Sequence, residues 1–96
     1  MPEITPINER LEELLRQIKG VSAEELRQFT VEASEVMRTF LEQHAASPNF
    51  ALLAEHGTVQ IGQKAALHFL RAERAAADAA RTAAIGFFIE LLTKLA

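Results

Sequence analysis

The 96-residue chain contains no cysteine, tryptophan or tyrosine, and only three prolines and four glycines. Without cysteine, neither a disulfide framework nor a thiolate metal site can form, which suits a reducing compartment. Basic residues are also scarce: 10 lysines and arginines stand against 13 acidic residues, giving a net charge of −3. This balance argues against broad nucleic-acid binding, which needs a basic surface.

Long apolar runs are missing as well. The longest uncharged run near the end, Ala83 to Ile89, is far shorter than the roughly 20 residues that span a bilayer. The segment Met1 to Pro6 has no basic stretch followed by an apolar one, so no secretory signal is predicted. We therefore expect a cytoplasmic protein without membrane contact.

The composition that remains is that of a globular, helical protein. Hydrophobic residues make up 49% of the chain and charged residues 24%, which is typical of a folded domain. The length fits one domain over residues 1–96. No segment alternates apolar and polar residues at every second position, so an all-α fold without a sheet is predicted.

Two helices are predicted in the first half of the chain. The first runs from Pro6 to about Lys19, with Thr5 as its cap and Gly20 as a left-handed stop. The second begins at Ser22-Ala23-Glu24-Glu25, which has the pattern of a capping box, and extends to about Ala46.

The second half is predicted to contain one short and one long helix. Ser47 and Pro48 provide a cap and a first-turn proline for a short connecting helix that Gly57 ends. The remainder, Val59 to Leu95, contains no proline and is predicted as one long helix. The expected architecture is a helical hairpin or bundle assembled as a homodimer.

The homodimer is predicted from the length of the last helix. About 37 helical residues form a rod of roughly 55 Å, whereas the second helix covers only about 37 Å of it. The rod has two apolar stripes, so we expect the second helix on one and a second copy of the chain on the other. The predicted dimer interface is a stripe of small residues and one phenylalanine: Phe69, Ala72, Ala76, Ala79, Ala83 and Gly86.

Two other interpretations of this segment stay open. Alanine is the best helix former, so the alanine-rich stretch can reflect helix propensity alone. A monomer is possible if the helix folds back at Gly86.

No motif for catalysis, metal or cofactor binding is found. The three histidines, His44, His56 and His68, lack the spacing that places two ligands on one helical face. There is no nucleophile elbow and no phosphate-binding glycine loop. We therefore expect a protein that is not an enzyme and binds no metal or cofactor.

The densest positive feature is a group of arginines with one aspartate: Arg71, Arg74, Asp78 and Arg81. It can be a phosphate-binding patch, a solvated helix face or a surface that recognises a protein, since arginine is enriched at interfaces. We take these four residues as the candidate site for binding a protein partner.

Several segments resemble one known family. They are Leu14 to Val21, the capped start leading to Leu26 and Thr30 to Ala33, the Gly62-Gln63 pair, and Ala83 to Phe88 near the end of the long helix. In this order, over roughly Leu11 to Leu91, they resemble TraM-type quorum-sensing antiactivators. The resemblance implies a helical homodimer that binds a LuxR-type transcriptional activator and keeps it off DNA, without catalytic residues or a cofactor.

The expected function is therefore that of a non-enzymatic, protein-binding regulator. The same two-sided helix also fits a helical adaptor, a secretion chaperone or a subunit of a larger assembly. A DNA-binding protein that uses Arg71, Arg74 and Arg81 is a third, weaker possibility.

Overall fold

Four α-helices follow one another in the computed structural model, which describes residues 4–46 and 49–95. They are α1 (Ile4–Leu15), α2 (Ala23–Ala46), α3 (Phe50–His68) and α4 (Arg74–Leu95). These two ranges contain no strand, so the predicted all-α class is confirmed.

The start of α2 is the capping box predicted from the sequence. The Glu25 backbone N–H donates to the Ser22 hydroxyl oxygen at 3.1 Å, and the Ser22 backbone N–H donates to the Glu25 carboxylate at 3.2 Å. Two amides that lack a partner in the first turn of a helix are thereby satisfied. The predicted end of α2 at Ala46 is confirmed too.

The bounds of α1 differ from the prediction. The helix begins at Ile4, so Thr5 lies inside it rather than at its cap, and it ends at Leu15 rather than at Lys19. Gly20 does have the predicted left-handed conformation, with φ at 99°, but it lies in the loop beyond the helix. The earlier end lets Ile18 and Val21 pack against the core.

The start of α3 differs as well. The predicted cap and first-turn proline, Ser47 and Pro48, lie outside the described residues. The cap of α3 is Asn49, whose side-chain oxygen accepts a hydrogen bond from the Leu52 backbone N–H at 3.2 Å.

Gly57 does not end α3, which continues for 11 more residues to His68. Gly57 is buried at the contact between α3 and α4, where a Cβ atom would overlap the Phe88 ring. The glycine therefore allows two helices to approach closely, and the prediction of a helix stop is wrong.

The long C-terminal helix of the prediction is divided in two. The chain leaves α3 at Phe69, turns through residues 70–73 and returns along α3 as α4. Phe69 points inward and packs against Phe29 of α2, with ring centroids 4.9 Å apart. The Glu73 backbone N–H donates to the Gly20 carbonyl at 3.4 Å and so joins this turn to the α1–α2 loop.

Burial of apolar side chains explains why the chain turns although no proline or glycine marks the place. The return of α4 buries one side of that helix, which contains Ala80, Ala84, Phe87, Phe88 and Leu92. Each large apolar side chain removed from water contributes about 1.5–3 kcal/mol, whereas a backbone hydrogen bond lost at the turn costs about 1 kcal/mol net. The longest dimension of the molecule is 38 Å, shorter than the rod predicted from the sequence.

The four helices surround one core. The α2 helix contacts each of the other three, and α1 closes the arrangement by contacting α4. Neighbouring helices are antiparallel: Gly57 and Gly62 of α3 lie near Phe88 and Arg81 of α4, respectively. Because α4 runs unbroken through Gly86, the alternative of a fold-back at that residue is also wrong.

Candidate functional site

The arginine group of the sequence lies on the surface at one end of the bundle. Arg71 is in the α3–α4 turn, Arg74 is the first residue of α4, and Asp78 and Arg81 lie one and two turns further along; all four are exposed. The Arg81 guanidinium lies 3.8 Å from the Asp78 carboxylate. Within the described ranges, neither Arg71 nor Arg74 takes part in an ion pair.

Two leucines accompany these arginines. Leu70 is 80% exposed and Leu67 is 58% exposed, the two highest values among the large apolar residues of the described chain. We call Leu67, Leu70, Arg71 and Arg74 the turn surface. Adjacent apolar side chains left in water, next to arginines, are typical of protein-binding surfaces.

A second exposed apolar feature runs along α3. Leu52, Val59 and Ala66 are spaced seven residues apart, which places them on one side of a helix. All three are exposed, with 45% of Leu52 and 55% of Val59 accessible to solvent. We call this set the α3 stripe.

Sequence reasoning missed the α3 stripe because it placed a helix end at Gly57, between Leu52 and Val59. The seven-residue spacing was the available signal, but it is visible only when α3 is taken as one helix from Phe50 to His68. A surface helix that carries an exposed apolar stripe in addition to its buried inner side is expected to have a partner on both.

The six residues of the predicted dimer interface do not lie on one helix, and they are found in different parts of the structure. Phe69 and Ala76 are in the interior, 5% and 6% exposed, and Ala72 lies in the turn. Ala79 and Gly86 are exposed on α4, and Ala83 is half-buried beside them. The continuous stripe is wrong because the chain reverses between Phe69 and Arg74.

The exposed part of that set lines a groove between α1 and α4. Its volume is about 490 Å³, and Ala83, Gly86 and Phe87 line the α4 side. The α1 side carries Arg10, whose guanidinium carbon lies 5.0 Å from the centre of the Phe87 ring. The lining of this groove combines the apolar side chains of Leu14 and Phe87 with the charged residues Arg10, Glu13 and Glu90.

One polar cluster joins α2 to α3. The Lys64 ammonium lies 3.0 Å from one Glu32 carboxylate oxygen, and His68 Nε2 contacts the other oxygen. The hydrogen bond from Lys64 holds the pKa of Glu32 below its usual range; burial opposes this shift, and His68 adds to it. Both carboxylate oxygens therefore have cationic or hydrogen-bonding partners within the chain, so the cluster links the two helices.

Two further properties concern metals and membranes. The part of the chain described by the structure holds no group of three histidine or acidic side chains placed to bind a metal ion. Nor, in the same part, does any helix combine the length and apolar character needed to cross a membrane.

The fold and its exposed surfaces define an all-α helical bundle with apolar and arginine-bearing surface features. No protein-family model, curated protein or solved structure matches the chain.

Proposed function

We propose that this chain works by binding another protein, and that the turn surface makes the contact. The observation that carries the proposal is the exposure of Leu70, at 80%, directly before Arg71 and within a few residues of Arg74. An apolar side chain of this size contributes nothing to the core where it stands. Its burial against a partner would contribute to binding.

The helix dipole gives independent support. Acidic groups are favoured at the beginning of a helix, and positive charges are disfavoured there by about 0.3–1 kcal/mol. The first turn of α4 contains no acidic residue and begins with Arg74. Arg74 is therefore unfavourable for the stability of α4, and the exposed Glu73 directly before it offsets part of this effect. A positive charge kept at this position is expected when the residue serves binding.

These residues define the chemistry of the partner. Two exposed arginines and two leucines fit a protein segment that presents acidic side chains around an apolar centre. The resemblance of the sequence to TraM-type antiactivators suggests which protein this is. We propose a LuxR-type transcriptional activator, bound in the cytoplasm and thereby kept off DNA, with no catalytic step, metal or cofactor in the process.

The test measures binding of a purified LuxR-type activator from the same organism to its DNA site, as fluorescence anisotropy, while this protein is added. Wild-type protein is expected to release the DNA. Arg74→Glu and Leu70→Ser are each expected to weaken this effect by at least about tenfold, the size of effect seen for important interface residues.

Lys94→Glu is the matched control for Arg74→Glu. Both variants change the net charge equally, but Lys94 lies in the last turn of α4, at the far end from the turn surface. We expect Lys94→Glu to release the DNA like the wild type. Failure of the wild type to displace the DNA would contradict the antiactivator proposal. An equal loss of DNA release in Arg74→Glu and Lys94→Glu would show that the turn surface is not the binding site.

A further inference from the structure

The outer side of α3 is unusually poor in charge for a surface helix. Its charged residues are Glu55 and Lys64, and Lys64 is directed to Glu32 of α2, at 3.0 Å. This leaves Glu55 as the one acidic residue of α3 next to the exposed α3 stripe, with His56 on the opposite flank. The partner of the stripe must therefore be apolar along its centre and must offer a positive charge to Glu55.

A positive charge in the right place exists on the chain itself. Glu55 and Gly62 are seven residues apart and so lie on the same flank of α3. Gly62 is next to α4, where a Cβ atom would lie 3.9 Å from Arg81 Cδ. Glu55 and Arg81 consequently occupy the same flank of the α3 stripe, on opposite sides of Val59.

We infer that the α3 stripe binds the α3 stripe of a second copy of this chain, with the two helices antiparallel and a two-fold axis at Val59. Such an axis places Val59 against its counterpart and Leu52 opposite Ala66 of the other copy. The same axis places the α4 helices of both copies on the same side of the paired α3 helices. Glu55 of each copy then lies opposite Arg81 of the other, which gives two equivalent ion pairs.

Charge also decides the direction of the pairing. A parallel arrangement with two-fold symmetry would place the α4 flank of each copy on the opposite side of the interface from that of the other copy, so Glu55 of one copy could not reach Arg81 of the other. Only the antiparallel arrangement forms the two ion pairs between Glu55 and Arg81.

The exposed face of α4 is the competing surface for a second copy. Its accessible residues around Ala79, Thr82 and Gly86 are small, so covering them removes little apolar area from water. The α3 stripe offers a leucine and a valine that are about half exposed. Burial of the α3 stripe therefore contributes more to the free energy of dimerisation than burial of the α4 face.

The dimer is expected to be weak. A helix of 19 residues is about 28 Å long and 10 Å wide, a footprint below the roughly 800 Å² per partner of a standard interface. We therefore expect a dissociation constant in the micromolar range. Leu70, Arg71 and Arg74 lie beyond Ala66, the last residue of the α3 stripe, so this part of each turn surface remains accessible at opposite ends of the dimer.

Sedimentation equilibrium of the full-length protein from about 1 to 500 μM tests the inference. Wild-type protein is expected to change from monomer to dimer within this range. Val59→Glu should raise the dissociation constant by more than about 30-fold, because two carboxylates then face each other in place of two valines. Since Val59 is 55% exposed, the variant is expected to keep its helical content and melting temperature.

A charge exchange tests the direction and register. Glu55→Arg and Arg81→Glu should each weaken the dimer by about three- to tenfold, the effect of two exposed ion pairs, and the double variant should restore it. Ala79→Glu is the control on α4 and should leave the dimer unchanged.

Three results would overturn the inference: a wild-type protein that stays monomeric at 500 μM, a dimer broken by Ala79→Glu but not by Val59→Glu, or a double charge variant no better than the singles. None of these experiments involves the transcriptional activator. The inference and the proposed function can therefore fail separately.

Discussion

Gly57 of α3 faces the edge of the Phe88 ring of α4, with no room for a side chain between them. Phe88 is fully buried, and its ring also contacts Phe40 of α2, with centroids 6.1 Å apart. This glycine therefore determines how closely α3 and α4 approach while the Phe88 ring fills the space between three helices.

Replacement of Gly57 by alanine should destabilise the protein. The added methyl group overlaps the Phe88 ring, and overpacking of this kind costs about 1–3 kcal/mol, more than the gain of about 1 kcal/mol from the higher helix propensity of alanine. Urea unfolding followed by circular dichroism at low protein concentration measures the difference.

Gly86→Ala is the matched control, because Gly86 also lies within a helix, but no atom beyond its own helical turn is within 4 Å of the position that a Cβ atom would take. It should raise the free energy of unfolding by about 0.5–1 kcal/mol. Equal effects of the two substitutions would show that α3 and α4 are not as close as described.

Ala76 and Ala79 should respond differently to the same substitution. Ala76 is 6% exposed, and its Cβ lies 3.0 Å from the place that a Gly20 Cβ would occupy, so the space around it is full. Ala76→Leu is expected to lower the free energy of unfolding by about 1–3 kcal/mol. Ala79 is exposed, so Ala79→Leu should change it by less than about 0.5 kcal/mol.

The measurement for this pair is urea unfolding at a concentration where the protein is monomeric. A tolerated leucine at position 76 would contradict the packing of α4 against the α1–α2 loop. A large decrease in the free energy of unfolding with Ala79→Leu would mean that the outer face of α4 is covered by another part of the protein.

The Glu32 cluster predicts a dependence of stability on pH. The pKa of Glu32 is lowered from 4.5 in the folded protein, mainly by the hydrogen bond from Lys64. A lowered pKa means that the folded state favours the ionised carboxylate. The resulting stabilisation is present above pH 4.5 and is lost as the pH falls through the lower folded pKa.

Glu32→Gln removes this titration. Wild-type protein should therefore exceed the variant in melting temperature at pH 7, and the difference should shrink steadily below pH 4.5. Glu35→Gln, at an exposed position one turn along α2, is the control and should have little effect at any pH. A difference between wild type and Glu32→Gln that does not vary with pH would contradict the role of the Glu32 carboxylate.

The features that were predictable from the sequence depend on neighbours along the chain. The capping box at Ser22 and Glu25 requires only a spacing of three residues, and the left-handed Gly20 requires only the absence of a side chain. The all-α class follows from periodicity in the same way. Features of this kind can be recognised without knowledge of the tertiary fold.

The turn after Phe69 could not be found in this way. Leu70, Arg71, Ala72 and Glu73 are all good helix formers, so local propensity favours a continuous helix. The chain turns because Phe69 packs on Phe29, and because α4 buries its apolar side when it returns along α3. The prediction that Gly57 ends a helix was wrong for the same reason, because this glycine is needed for a contact with Phe88, 31 residues further along the chain.

The sequence by itself thus determined the helical class, the limits of α2 and the small side chains available for close contacts, because these depend on propensity and short-range hydrogen bonds. Only the tertiary structure decided where the last segment folds back and which apolar residues stay in water. The reason is that burial depends on contacts between residues far apart in the chain. The turn surface and the α3 stripe are what remains exposed after that choice.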